Sequence, residues 1–206
     1  KQDDGSINVF VGNGQALVVG ATANRVVAQP SSSDQRTLEL RLQAGASSVN
    51  ITDNITSGKL GGLLRFRTDI LQPAYNTVGR VALAVSETVN SQHNLGMDLN
   101  DELGGDFFTA INDPTLMARR VVNDTGNTGT ADISLQIDDV NQLNDANYDI
   151  AVQGGNYIIT DLTTGTSITR TPTGANPETI SLDSPAPGLG SGLSIVINSG
   201  TAANGD

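Results

Sequence analysis

The chain has 206 residues, with 11 Lys or Arg against 22 Asp or Glu, for a formal net charge of −11. That balance argues against a nucleic-acid surface, which needs a basic patch to neutralise phosphates, and against attraction to anionic lipid. Cysteine is absent, histidine occurs once and aromatic residues make up 3%, which excludes disulfides and zinc–thiolate centres and leaves little for metal, acid–base or stacking chemistry.

No stretch approaches the roughly 18 apolar residues of a membrane span, and nothing resembles a cleaved signal peptide. The opening Lys1-Gln2-Asp3-Asp4 lacks an initiator Met, and the sequence reads as an internal piece of a longer protein.

Residues 1–56 read as β structure. Ile7, Val9 and Val11 alternate with opposite-face residues, as in a half-buried strand. Gly12-Asn13-Gly14 separates them from Ala16-Leu17-Val18-Val19, and Asn-Gly between two such runs predicts a hairpin because both residues tolerate positive φ. A second pair is expected between Val26-Val27 and Leu38–Leu42, joined by a loop over Pro30–Asp34.

Over residues 57–92 the period changes. Leu64, Leu71, Val78 and Val85 recur every seven residues, and Ala74, Tyr75, Val81, Ala82 and Val89 widen the stripe. The spacing predicts one long amphipathic helix suited to lying along other helices. Pro73 removes an amide donor and crowds the preceding turn, so a shorter piece over Gly61–Leu71 and a main helix from about Pro73 are expected. The four heptad residues form a packing stripe for helices that this sequence does not itself supply.

Residues 106–206 return to β. Strands are expected over Ala131–Ile137, Tyr148–Gln153, Tyr157–Asp161, Ser167–Thr171, Glu178–Leu182 and Leu193–Ile197, with turns at Gly154-Gly155-Asn156 and Thr163-Thr164-Gly165. Such spacing suggests a small sandwich or barrel. Residues 1–105 carry 8 basic and 10 acidic side chains, net −2, and residues 106–206 carry 3 and 12, net −9. The charge step puts a boundary near Gly104-Gly105, with a solvated acidic module after it whose basic residues are Arg119, Arg120 and Arg170. The fold class is therefore α+β: a hairpin and strand segment plus one long helix (1–105), then a mainly antiparallel all-β domain (106–206).

The search for chemistry returns no catalytic, cofactor-binding or metal site. His93 lies at the end of the helix, where a cation suits the dipole and can cap carbonyls. Gly188-Leu189-Gly190-Ser191-Gly192 misses the spacing of a nucleophile elbow. Asp98–Gly104 alternates oxygen side chains as a calcium loop does, yet has Leu103 where an EF-hand needs Gly and Thr109 where it needs an acidic ligand. Asp138-Asp139 and Asp145 read as solvated turns, and three Asn-x-Thr triplets are what a chain rich in Asn and Thr contains by chance.

The helix block carries a family resemblance. Gly61-Gly62-Leu63-Leu64-Arg65-Phe66-Arg67 opens it, and Asn76–Ala84 continues it. Val89-Asn90-Ser91-Gln92-His93, Gly96-Met97-Asp98-Leu99-Asn100 and Gly104-Gly105-Asp106-Phe107-Phe108 close it. These runs resemble the flagellar hook-associated protein 1 family of bacteria, as does Gly5–Val18 upstream. Tyr148-Asp149-Ile150 and Asn156–Ile159 are similar to its outer β-domain, and Arg65 departs from a position often apolar or small. The resemblance implies a non-enzymatic junction protein between hook and filament, outside the cell on the flagellum and exported through the flagellar type III apparatus without a cleaved leader. It implies terminal coiled-coil segments absent here, with 1–105 part of a rod-like inner domain and 106–206 facing solvent. Implied partners are other axial proteins (hook protein, a second junction protein) and copies of itself in the full-length form, with no nucleic acid and no membrane. The piece alone is expected to be monomeric. A reading of a different class, an adhesin-like surface binding module, rests on the acidic Thr- and Asn-rich third zone and has no use for an unpaired helical stripe.

Overall fold

The computed structural model describes residues 7–206; the strand and hairpin expectations that reach into residues 1–6 lie partly outside them. The chain forms two compact units, one ending at Gln72 and the other spanning Pro73–Asp206.

In the first unit, β1 (Val9–Val11), β2 (Gln15–Val19) and β3 (Thr22–Ala23) form an antiparallel meander. The expected Gly12-Asn13-Gly14 turn joins β1 to β2. Gly12 has φ 57° and a side chain there would run into the Asn54 carbonyl oxygen, so only glycine fits. A second meander contains β4 (Arg25–Pro30), β5 (Leu38–Ala44) and β6 (Ser47–Asn50). The expected β4–β5 pair forms, with Val26 opposite Leu42 and Ala28 opposite Leu40. β3 and β6 are not legible in the sequence: Ser47-Ser48-Val49-Asn50 has a single apolar residue and no buried one, so it leaves no alternation to read. Ile51 is buried, and Thr52 Oγ1 accepts the Leu40 amide at 2.9 Å.

The helical run differs from expectation at its start and at its break. α1 spans Gly58–Phe66, a π-helical turn covers Arg67–Leu71 and α2 spans Gln72–Asn94. The helix begins before Gly61, and Pro73 does not interrupt it. A proline lacks the amide donor and crowds the carbonyl one turn back; the wider π turn just before it accommodates both defects. Thr68 Oγ1 sits against the Leu64 and Arg65 carbonyls in that turn.

The second unit holds six strands: β7 (Asp132–Ile137), β8 (Tyr148–Gln153), β9 (Asn156–Asp161), β10 (Ser167–Arg170), β11 (Glu178–Ser181) and β12 (Leu193–Ser199). All six expected strands are present. They form two antiparallel sheets, in the orders β10-β9-β8 and β11-β12-β7. Both contribute to one core, with Tyr157, Ile159 and Ile168 from the first and Ile137, Ile180 and Ile195 from the second. β9 alternates cleanly, Tyr157 and Ile159 in, Ile158 and Thr160 out. β12 does not: Leu193 to Ile197 are all buried, because it is the central strand of its sheet and is covered on both faces. The apolar patterning gives no signal for the short helix α3 (Pro114–Arg119). Asp113 caps it by accepting the Thr115 amide, with Pro114 in the first turn.

The cations of this unit are not solvated decoration. Arg170 is buried and donates from Nε to the Ser181 carbonyl (2.9 Å) and from Nη2 to the Leu182 and Pro187 carbonyls (3.2 and 3.0 Å), tying β10 of one sheet to the end of β11 in the other. Arg120 donates to the Leu135 and Ile111 carbonyls, and burial pulls its guanidinium below the usual value. With Arg80, Arg120 and Arg170 each donating to backbone carbonyls, three of the four cations of this unit are spent internally, and its exposed charge is more acidic than composition indicates.

Candidate packing surface

The two sides of α2 have exchanged their usual roles. A surface helix turns its apolar stripe to the core and its polar side to water. Here the polar side does most of the binding within the second unit. Asn76 Nδ2 donates to the Asp145 carbonyl (2.7 Å) and Arg80 Nη1 to the Leu143 carbonyl (2.9 Å). Leu83 packs against the edge of the β core. Asn90, buried in the last turns, accepts the Phe107 and Phe108 amides (3.0 and 2.8 Å) and donates to the Phe108 carbonyl (2.9 Å). Asn76, Arg80, Leu83 and Asn90 recur at three-, four- and seven-residue intervals, so they share one face.

The apolar side is open. Tyr75 is 70% exposed, Val78 68%, Val81 59% and Val85 51%. Tyr75, Val78, Ala82 and Val85 follow the alternating three- and four-residue spacing of a coiled-coil seam. Of the four residues expected to form the packing stripe, Val78 and Val85 lie on this open side of α2. Leu71, in the π turn, is also exposed. Leu64 is half-buried. The π turn separates Leu64 from Leu71, so the seven-residue interval across it does not return to the same side as it would in a regular helix.

The C-terminal end of α2 is bound to the segment that follows. His93 Nδ1 lies 2.6 Å from the Gly105 carbonyl, its ring against Phe107, and Asn94 Nδ2 donates to Asp106 (2.9 Å). The histidine thus fastens a loop. Gly104 must be glycine, since a Cβ there would run into the His93 carbonyl oxygen. Between these anchors, Met97 and Leu103 form an antiparallel bridge, and the Asp98 amide donates to the Glu102 carbonyl (2.9 Å). The Asp98 carboxylate accepts the Glu102 and Asn100 amides (3.0 and 2.7 Å), which hold it below the usual carboxylate range. Asp98 therefore spends its oxygens on its own loop. The loop presents Leu95, Met97, Leu99 and Leu103 to solvent, Leu99 at the tip fully exposed.

Among the described residues, no group of three or more His, Cys, Asp or Glu is placed to hold a metal ion, and no helix is long and apolar enough to cross a membrane. The arrangement leaves a long apolar helix face and an apolar loop open to solvent.

Two family models match the chain, and both describe hook-associated components of the bacterial flagellum. Residues 1–108 match the flagellar hook-associated protein FlgK helical domain, and residues 122–206 match a flagellar hook-associated protein 1, D2-like domain. The chain belongs to the flagellar hook-associated protein FlgK family. It is 36% identical over 173 residues to flagellar hook-associated protein 1 of Escherichia coli K12, covering 83% of this chain and 30% of the relative. To the protein of the same name from Salmonella typhimurium it is 33% identical, covering 82% and 30%. The flagellar hook junction protein FlgK from Burkholderia pseudomallei superposes with a TM-score of 0.77 at 28% identity, covering 98% of this chain and 36% of that one. The chain thus spans about a third of the length of these relatives.

Proposed function

We propose that the full-length protein is a structural subunit of the bacterial flagellum that joins hook to filament, and that the open side of α2 is its packing surface. The observation that carries this is the inversion of α2. Its polar side is committed within the second unit while its coiled-coil seam faces solvent, and such a seam gains stability only when another helix covers it. Helices from the remainder of the full-length chain cover it, and the assembled subunit contacts hook protein, a second junction protein and its own copies. The role is mechanical, not catalytic. The protein acts outside the cell, exported without a cleaved leader. Residues 1–105 belong to the inner rod and 106–206 to an outer, solvent-facing β-domain, a division supported by the two separate family matches and by the charge step.

The test is Val78→Asp in the full-length protein, with Ser91→Asp, exposed and away from the seam, as a control. The Val78 variant is expected to be secreted and folded yet to leave hooks without filaments in electron micrographs, while the control grows filaments. Normal filaments on Val78→Asp cells would refute the packing role.

A further inference from the structure

Two Asn-Gly pairs occur in the chain, Asn13-Gly14 and Asn204-Gly205. Such a pair rearranges without an enzyme when the glycine amide nitrogen reaches the asparagine Cγ, and glycine has no Cβ to crowd that approach. As dipeptides the two are equivalent. The fold treats them differently.

Asn204 is held in both halves of its pair. Its Oδ1 accepts the Gly154 amide at 2.8 Å, and the Gly205 N–H, the group that would attack, donates to the Val152 carbonyl at 2.8 Å. The next residue pins the segment. The Asp206 carboxylate accepts the Thr128, Gly129 and Ala203 amides (2.7, 3.0 and 2.6 Å), and the Asp206 carbonyl accepts the Val152 amide (2.8 Å). Cyclisation at Asn204 has to break the first two bonds and turn a segment that the last four hold in place.

Asn13 is the middle residue of the β1–β2 turn and is exposed, as are Gly12 and Gly14. Beside Gly14 there is open space: a Cβ built there meets nothing within 4 Å. The side-chain hydrogen bonds of this meander come from Asn8, to the Gly20 amide, and Asn24, to the Ala16 carbonyl. Asn13 makes none with a described residue, so its amide can swing over the Gly14 nitrogen without breaking one.

We propose that Asn13 is a site of spontaneous deamidation in the folded protein, and that the fold protects Asn204. The Gly14 nitrogen, its proton taken by base, bonds to Asn13 Cγ. The Cγ–Nδ2 bond breaks, and Nδ2 leaves as ammonia with a proton from water. Water then adds to one of the two carbonyls of the cyclic imide and opens it, leaving aspartate or isoaspartate. Nothing is oxidised or reduced, and water is the co-reactant. Either product brings a carboxylate to a turn that had none, and isoaspartate routes the main chain through an extra carbon. Gly12, packed against the Asn54 carbonyl, gives that turn no slack. The added length therefore falls on the β1–β2 pairing, where Val11 stands opposite Gln15 and Val9 opposite Val18. The inference is independent of what the protein joins.

The full-length protein, kept folded in mildly alkaline buffer, is sampled over time and digested. Mass spectrometry follows the peptides that hold Asn13 and Asn204, and an isoaspartate-specific methyltransferase labels the product. The Asn13 peptide is expected to convert faster than the Asn204 peptide by roughly tenfold or more, the factor that two backbone hydrogen bonds supply. In concentrated guanidinium chloride the two rates should converge, since both pairs are then unprotected Asn-Gly. Asn13→Gln, which would have to close a larger ring, should remove the early product and leave the Asn204 rate unchanged. Equal rates in the folded protein, or a ratio that survives in guanidinium, would overturn the proposal.

Discussion

Asn90 shows how a polar residue can matter as much to this chain as a core-edge leucine on the same helix run. Sequence patterning put it at the edge of a family motif and assigned it no role. The structure buries it and gives its one amide three backbone partners in Phe107 and Phe108. A buried polar group stabilises through the desolvation cost of leaving its partners unmade, so Asn90→Ala strands two amides and a carbonyl. It should lower stability by about 2 kcal/mol, read as a shift in the urea midpoint at unchanged slope. Asn90→Asp should recover part of the loss, because a carboxylate still accepts both amides. Arg170 makes the same point: composition marks it as one of three cations in an acidic module, and only the sheet arrangement shows three carbonyls converging on it.

At the scale of the element, α2 separates what a helix needs to form from what it needs to be covered. The heptad spacing was legible because apolar residues at three- and four-residue intervals define a side of any helix. Which side faces the rest of the unit was not legible, since the polar residues that do so satisfy carbonyls of loops distant in sequence, Leu143 and Asp145. The consequence is measurable in the isolated chain. Leu83→Ala, at the edge of the core, should cost about 2 kcal/mol, whereas Val78→Asp, two-thirds exposed, should stay within about 0.5 kcal/mol. Thermal melts of the two variants make the comparison. The π turn is the other lesson of this element: Pro73 announced a defect, and the backbone met it with one widened turn where the sequence suggested two helices.

For the whole molecule, the question is which piece is the autonomous folding unit. The charge step and turn density point to 106–206, while the compact unit begins at Pro73 and takes in α2. Asn76, Arg80, Leu83 and Asn90 bind strands, loops and core of that unit, so removing the helix exposes core edge and unpaired carbonyls together. Residues 73–206 expressed alone should melt cooperatively in calorimetry, and 106–206 should melt at a temperature lower by about 15 °C or more, from roughly 4 kcal/mol of lost contacts. Equal melting temperatures would show that α2 lends the β-domain nothing.

Most of the elements are written in the sequence alone: the hairpin at Gly12–Gly14, the long helix, all six strands of the second unit and the family motifs that run from Gly61 to Phe108, though not β3, β6 or α3. Each rests on periodicity or turn chemistry within a few consecutive residues, and such information is written locally. Which side of α2 is free, why β12 is buried on both faces, that Arg170 is internal and that Leu99 is held outward follow instead from contacts in the folded chain. Those outcomes depend on groups dozens of residues apart meeting in space, where the need to pair every buried polar group outweighs the local preference of any one segment.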